Sequence, residues 1–189
     1  MTRSLLSGLC ILAGLVSLAL ANEFDAPLKA LAITEVASIA SAPEVIAAVK
    51  AQNAETGGYD QAMIDAADSR WREEVGAAER PTIDAMLARP ASAFLLAKKD
   101  SSSGLYTEIF VMDAKGLNVA QSDVTSDYWQ GDEAKWQETF GKGAGSLHIS
   151  DIEFDESSQT YQSQVSMPVV DNGEVIGALT IGVNVEYLQ

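Results

Sequence analysis

Five residues between positions 123 and 136 carry side chains suited to holding a small molecule: Asp123, Asp127, Tyr128, Trp129 and Trp136. Tyr161, with Gln162 and Gln164 beside it, is a further candidate from a later stretch. Carboxylates beside aromatic faces suit a cation, through charge pairing and a cation–π attraction of about 0.5–2 kcal/mol. The same faces stack on a flat heterocycle. The chemistry expected is recognition of a small polar ligand, cationic or heteroaromatic. Trp129 lies in a polar loop, which favours a place in the site. Trp71 and Trp136 sit at helical spacing and fit core packing equally well. Arg70 and Arg72 flank Trp71, and ion pairs with the many carboxylates are their simplest use.

Catalytic and metal constellations are weaker. His148 is the only histidine and falls between Leu147 and Ile149, as in a strand. A Ser–His–Asp arrangement around it lacks the G-x-S-x-G elbow, so hydrolysis is the least favoured reading and no enzyme is expected. Asp151, Glu153 and Asp155 alternate, followed by Glu156, and read as a solvated strand face. They lack the glycine turn and terminal glutamate of an EF-hand loop. Gly141, Gly143 and Gly145 read as a flexible connector, not a phosphate cradle. The one cysteine, Cys10, excludes disulfide frameworks and cysteine-based zinc sites. Composition alone still permits a carboxylate-only calcium or magnesium site, but no spacing supports one, so neither metal nor cofactor is expected. Twelve basic against 27 acidic residues give a net charge of −15, which disfavours nucleic acid as a partner.

The elements that must position these residues fall into three parts. Residues 1–21 read as a secretory signal peptide: Arg3 supplies the positive end, an apolar run follows from Leu5, and Ala19-Leu20-Ala21 is a cleavage site. Cleavage would leave residues 22–189 as a single thiol-free domain with eleven basic and 27 acidic residues, net −16. An exported, periplasmic protein is expected. Residues 22–100 form the helical part. Asp25 is read as a cap, Ser41 with Glu44 as a capping box around Pro43, and Pro81 and Pro90 as helix starts.

Residues 101–189 form the sheet part. A strand runs from Tyr106 to Met112, apolar enough for burial on both faces, and returns after Asp113-Ala114-Lys115-Gly116. A loop and short helix span residues 122–140. Residues 146–154 and 160–170 are read as strands, and Asn172-Gly173 joins the last hairpin. Pro168 is expected at an edge or bulge. The fold class is α+β, with long N-terminal helices packed on a five-stranded antiparallel sheet.

Three segments in this order, "IFVMDAKGLNVAQSD", "TSDYWQGDEAKW" and "MPVVDNGEVIGALTIGVNVEYL", resemble the PAS-like extracytoplasmic sensor domains known as Cache or PDC domains. The resemblance covers residues 28–189 and is most specific at Phe110–Gly116, Tyr128–Trp136 and Pro168–Gly182. It implies a single-Cache fold with a ligand pocket between the sheet and the loop at 122–136. It also implies a role in signal transduction or chemotaxis through a separate membrane receptor or sensor kinase. In amino-acid-binding relatives an arginine of this loop grips the ligand carboxylate. With Tyr128-Trp129 matched to the family's aromatic pair, that position holds Ser126, which puts an α-amino-acid ligand in doubt. The alternative is an interaction module without a small ligand, and homodimerisation through the helix at residues 25–55 fits either reading.

Overall fold

The computed structural model describes residues 24–156 and 158–188. The expected leader, residues 1–21, lies outside the described residues. Helix α1 (Asp25–Leu31) runs through a π-helical turn (Ala32–Val36) into α2 (Ala37–Ala40). A 62° bend then leads to α3 (Pro43–Thr56). Helices α4 (Gln61–Glu74), α5 (Pro81–Leu87) and α6 (Pro90–Ser101) complete the helical part. Proline opens α3, α5 and α6, where its missing N–H is not needed. No single helix among the described residues is long and apolar enough to cross a membrane.

Two of the expected caps are replaced. Ser41 does not cap α3; its hydroxyl donates back to the carbonyl of Ala37 at 2.8 Å and so closes α2. Ala42 takes the cap position with an extended backbone and no side-chain bond. Asp25 lies inside the first turn of α1 and pairs with Lys29 one turn on. Asp60 does cap α4, accepting the Met63 N–H at 2.9 Å.

The sheet is antiparallel throughout. Its strands are β1 (Tyr106–Met112), β2 (Asn118–Gln121), β3 (His148–Ile149), β4 (Glu153–Asp155), β5 (Thr160–Asp171) and β6 (Glu174–Asn184). The order is β2-β1-β6-β5-β3, with β4 also paired to β5. Six strands thus occupy five positions, because the single strand expected over residues 146–154 is broken. Ser150 causes the break. Its backbone N–H still donates to the Gln164 carbonyl at 2.9 Å, but its hydroxyl accepts the Gln164 N–H at 2.8 Å in place of a carbonyl. Asn172 and Gly173 turn the β5–β6 hairpin with positive φ values of 51° and 87°. Pro168 lies past the end of β3 and beside a register shift at Val169/Val170, where its missing N–H costs no ladder bond.

The two faces of the sheet differ in chemistry. Ile109, Val111, Val165, Leu179, Ile181 and Val183 face the helices and form the main core with Leu28, Val36, Val45, Val49 and Leu95. The other face is graded along its length. Met112 and Ala178 are covered by Trp136 and Phe140 at one end. Ser166 and Thr180 share a buried hydroxyl pair at 2.9 Å in the middle. At the far end, cross-strand pairing lines up Glu108, Gly182 and Gln164, with Gln162 opposite Asn184. The cavity opens at that polar end.

Candidate functional site

A cavity of about 430 Å³ lies between the polar end of the sheet and the loop after β2. The sheet contributes Glu108 and Phe110 from β1, Gln162 and Gln164 from β5, and Glu153, Phe154 and Asp155 from β4. The loop contributes Val124, Thr125, Ser126, Asp127, Gln130 and Glu133, and the short helix that follows it (Ala134–Gln137) contributes Lys135. Five carboxylates and a single lysine therefore line it.

The floor depends on Gly182. A Cβ there would meet the Thr107 hydroxyl at 2.2 Å, the Gln162 carbonyl oxygen at 2.6 Å and Glu108 Cγ at 2.8 Å. Its absence lets side chains from both flanking strands converge above β6. The Gln164 amide donates to the Glu108 carboxylate at 2.9 Å, and the Thr107 hydroxyl donates to Gln162. Burial pushes the Glu108 carboxyl above its ordinary value; the bond from Gln164 and the charge of Lys135 offset this only in part, and Asp155 and Asp123 add to the rise.

Lys135 is spoken for. It pairs with Glu133 at 2.8 Å, donates to the Gln130 carbonyl at 3.2 Å and stands 5.3 Å from the centre of the Phe110 ring. The cavity's one cation is thus neutralised within the site.

Helix α4 fastens the loop wall. One oxygen of Asp68 accepts the backbone N–H groups of Tyr128 and Trp129 at 2.9 and 3.0 Å. The other accepts from Arg72 at 2.6 Å, and Arg72 reaches on to Asp127 at 3.2 Å. Burial alone would raise the Asp68 carboxyl, but the Arg72 bond and the two backbone donors outweigh it and hold it below its ordinary value. Trp71, fully buried, donates its indole N–H to the Thr125 carbonyl at 2.9 Å.

Comparison with known proteins comes from structure alone. No protein-family model and no curated protein matches the chain. The sensor domain of Escherichia coli DcuS superposes with a TM-score of 0.50 at 15% identity, covering 87% of this chain and 96% of that one. The chain has the fold of PDC/Cache-type sensor domains. The Vibrio cholerae histidine kinase DctB sensor domain gives a TM-score of 0.46 at 13% identity over 87% of this chain. The ligand-binding domain of the Campylobacter jejuni chemoreceptor Tlp3, in complex with 4-methylisoleucine, gives 0.42 at 13% over 88%. The chain spans 55% of the DctB domain and 62% of the Tlp3 domain.

Within this Cache fold, the six residues singled out from sequence take different places. Asp127 lines the cavity. Asp123 pairs with Lys99 and accepts from the Ser122 hydroxyl at 2.6 Å, outside the lining. Tyr128 stacks on Trp71 with ring centres 5.5 Å apart, and burial pushes its phenol up to about 12. Trp129 donates its indole N–H to the Lys115 carbonyl at 2.9 Å and packs against Gly116 and Gly131. Trp136 donates to the Asp113 carbonyl at 3.0 Å and stacks on Phe140. Tyr161 is 52% exposed and meets Phe154 edge-on at 5.3 Å.

Gln162 and Gln164, the neighbours of Tyr161 in the sequence reading, do line the cavity, whereas Glu108, Gln130, Glu133 and Lys135 are not marked out by that reading. Glu153 and Asp155 line the cavity; Glu153, like Asp151, is exposed, as the reading of a solvated face expects, and Asp155 is half-buried. Glu108 carried a signal that was legible: it is the one charged residue in an otherwise buried strand. Glu133 and Lys135 had no comparable mark in so acidic a loop. Among the described residues, no group of three or more His, Cys, Asp or Glu side chains converges to hold a metal ion.

Proposed function

We propose that this protein is an exported, periplasmic sensor domain that binds a small organic cation in the cavity between the sheet and the 122–136 loop. Binding would be relayed through a separate membrane-bound receptor or sensor kinase. The supporting observation is the lining itself: Glu108, Asp127, Glu133, Glu153 and Asp155 against Lys135 alone, with Gln130, Gln162 and Gln164 between them. In a cavity partly shielded from water such an excess favours positive charge far more than on an open surface. A carboxylate ligand would meet a lysine already paired with Glu133. The heteroaromatic alternative has less support, since the indoles and the Tyr128 phenol are engaged outside the lining and only Phe110 and Phe154 offer rings. No catalytic activity is part of the proposal.

Calorimetric titration of the full chain with a panel of alkylamines, purines and simple carboxylates tests the reading. Saturable one-site binding of an amine is expected. Binding of carboxylates alone would overturn it.

A further inference from the structure

Within the cavity, the polar groups are unequally committed. Asp127 is engaged by Arg72 and Gln130, and Glu133 by Lys135. Glu108 forms no ion pair with any lysine or arginine of the described residues. Its one hydrogen-bond partner among the described residues is the Gln164 amide, which leaves acceptor capacity on the carboxylate. Because a carboxylate can only accept, Gln164 must turn its NH2 toward Glu108, and its carbonyl oxygen is then left to accept a further hydrogen bond.

Resting on the cation reading above, we propose that Glu108 is the seat of the ligand's charge, and that it selects a primary alkylammonium over a quaternary ammonium. A carboxylate and an amide carbonyl present acceptors that only an N–H-bearing cation satisfies. A buried acceptor left unmatched costs about 1–3 kcal/mol. Quaternary ammonium ions are recognised instead by cages of aromatic faces. Here the Phe110 ring already carries Lys135, and Trp129, Trp136 and Tyr128 pack elsewhere. Phe154 remains as a wall for the ligand's alkyl part.

The seat also sets a pH dependence. Facing Glu108 are Gln164 and Gln162 from β5, Glu153 and Asp155 from β4, and Asp127, Glu133 and Lys135 from the loop and the short helix after it, with Asp123 further out. Burial holds the free carboxyl high, so lowering the pH neutralises the seat and weakens ammonium binding.

The test is calorimetry of the full chain with n-butylammonium and tetramethylammonium chlorides between pH 5 and 8, on the parent, Glu108→Gln and Glu108→Asp. Both variants are first checked for an unchanged circular-dichroism spectrum. The expected result is n-butylammonium binding that weakens tenfold or more in Glu108→Gln and less in Glu108→Asp, with tetramethylammonium at least tenfold weaker in the parent. Affinity should fall as the pH is lowered in the parent and stay level in Glu108→Gln. Cation binding equal in parent and Glu108→Gln, or tetramethylammonium matching n-butylammonium, would overturn the seat and leave the cation cavity standing. No binding of either cation would overturn both.

Discussion

Glu108 on β1 accepts a 2.9 Å hydrogen bond from Gln164 on β5, across the bare backbone of Gly182 on the strand between them. A partly buried carboxylate with no ion-pair partner opposes folding, so its placement has a measurable signature. Its carboxyl is raised in the folded state. The folded protein therefore binds more protons than the unfolded chain between the ordinary glutamate value and the raised one, and stability falls as pH rises through that window. Glu108→Gln should melt higher than the parent at neutral pH, with the difference shrinking as pH falls through the raised value and gone below about pH 4.5, the ordinary range for glutamate. Thermal melts at several pH values check this.

Gly182→Ala tests the floor itself. The added methyl would collide with Thr107, Gln162 and Glu108, all closer than 3 Å. Their side chains would have to move, at about 1–3 kcal/mol for an overfilled site. The variant should be less stable in urea and should lose cation affinity together with stability.

Asp68 ties α4 to the loop wall. Asp68→Ala leaves the N–H groups of Tyr128 and Trp129 without their acceptor, an expected loss of about 1–3 kcal/mol. The Arg72 pair adds little, because the Arg72 side chain is 55% exposed. The Asp68 carboxyl is lowered in the folded state, so its stabilisation is present above the ordinary aspartate value and is lost as pH falls through the lowered one. Hydrogen exchange of residues 125–130 should accelerate in the variant at neutral pH and in the parent only in acid.

Trp71→Phe removes the bond to the Thr125 carbonyl and reduces the stack on Tyr128. A loss of about 1–3 kcal/mol is expected from the unpaired carbonyl and the missing ring atoms. Melting temperature should drop with or without amine present, which separates this packing role from a ligand contact.

These residues also show how far the sequence could be read. Periodicity located the helices and β1, and the Asn172-Gly173 dipeptide the last hairpin, because backbone chemistry there is local. The broken third strand was hidden, since Ser150 substitutes a hydroxyl for a carbonyl partner only once β5 lies beside it. The loop's aromatics looked free because their partners are distant in sequence. Trp129 is held by its indole bond to the Lys115 carbonyl and by an isolated backbone bridge to Leu117, and Tyr128 by Trp71. Glu153 is exposed as its alternating pattern suggests, but its place at the cavity, and that of half-buried Asp155, depends on a loop that nothing local puts opposite them.

The most direct measurement is a crystal structure of the protein grown with saturating n-butylammonium. The account predicts density in the cavity with the ligand nitrogen about 2.7–3.2 Å from a Glu108 carboxylate oxygen. An empty cavity, or the amine bound elsewhere on the protein, would contradict it.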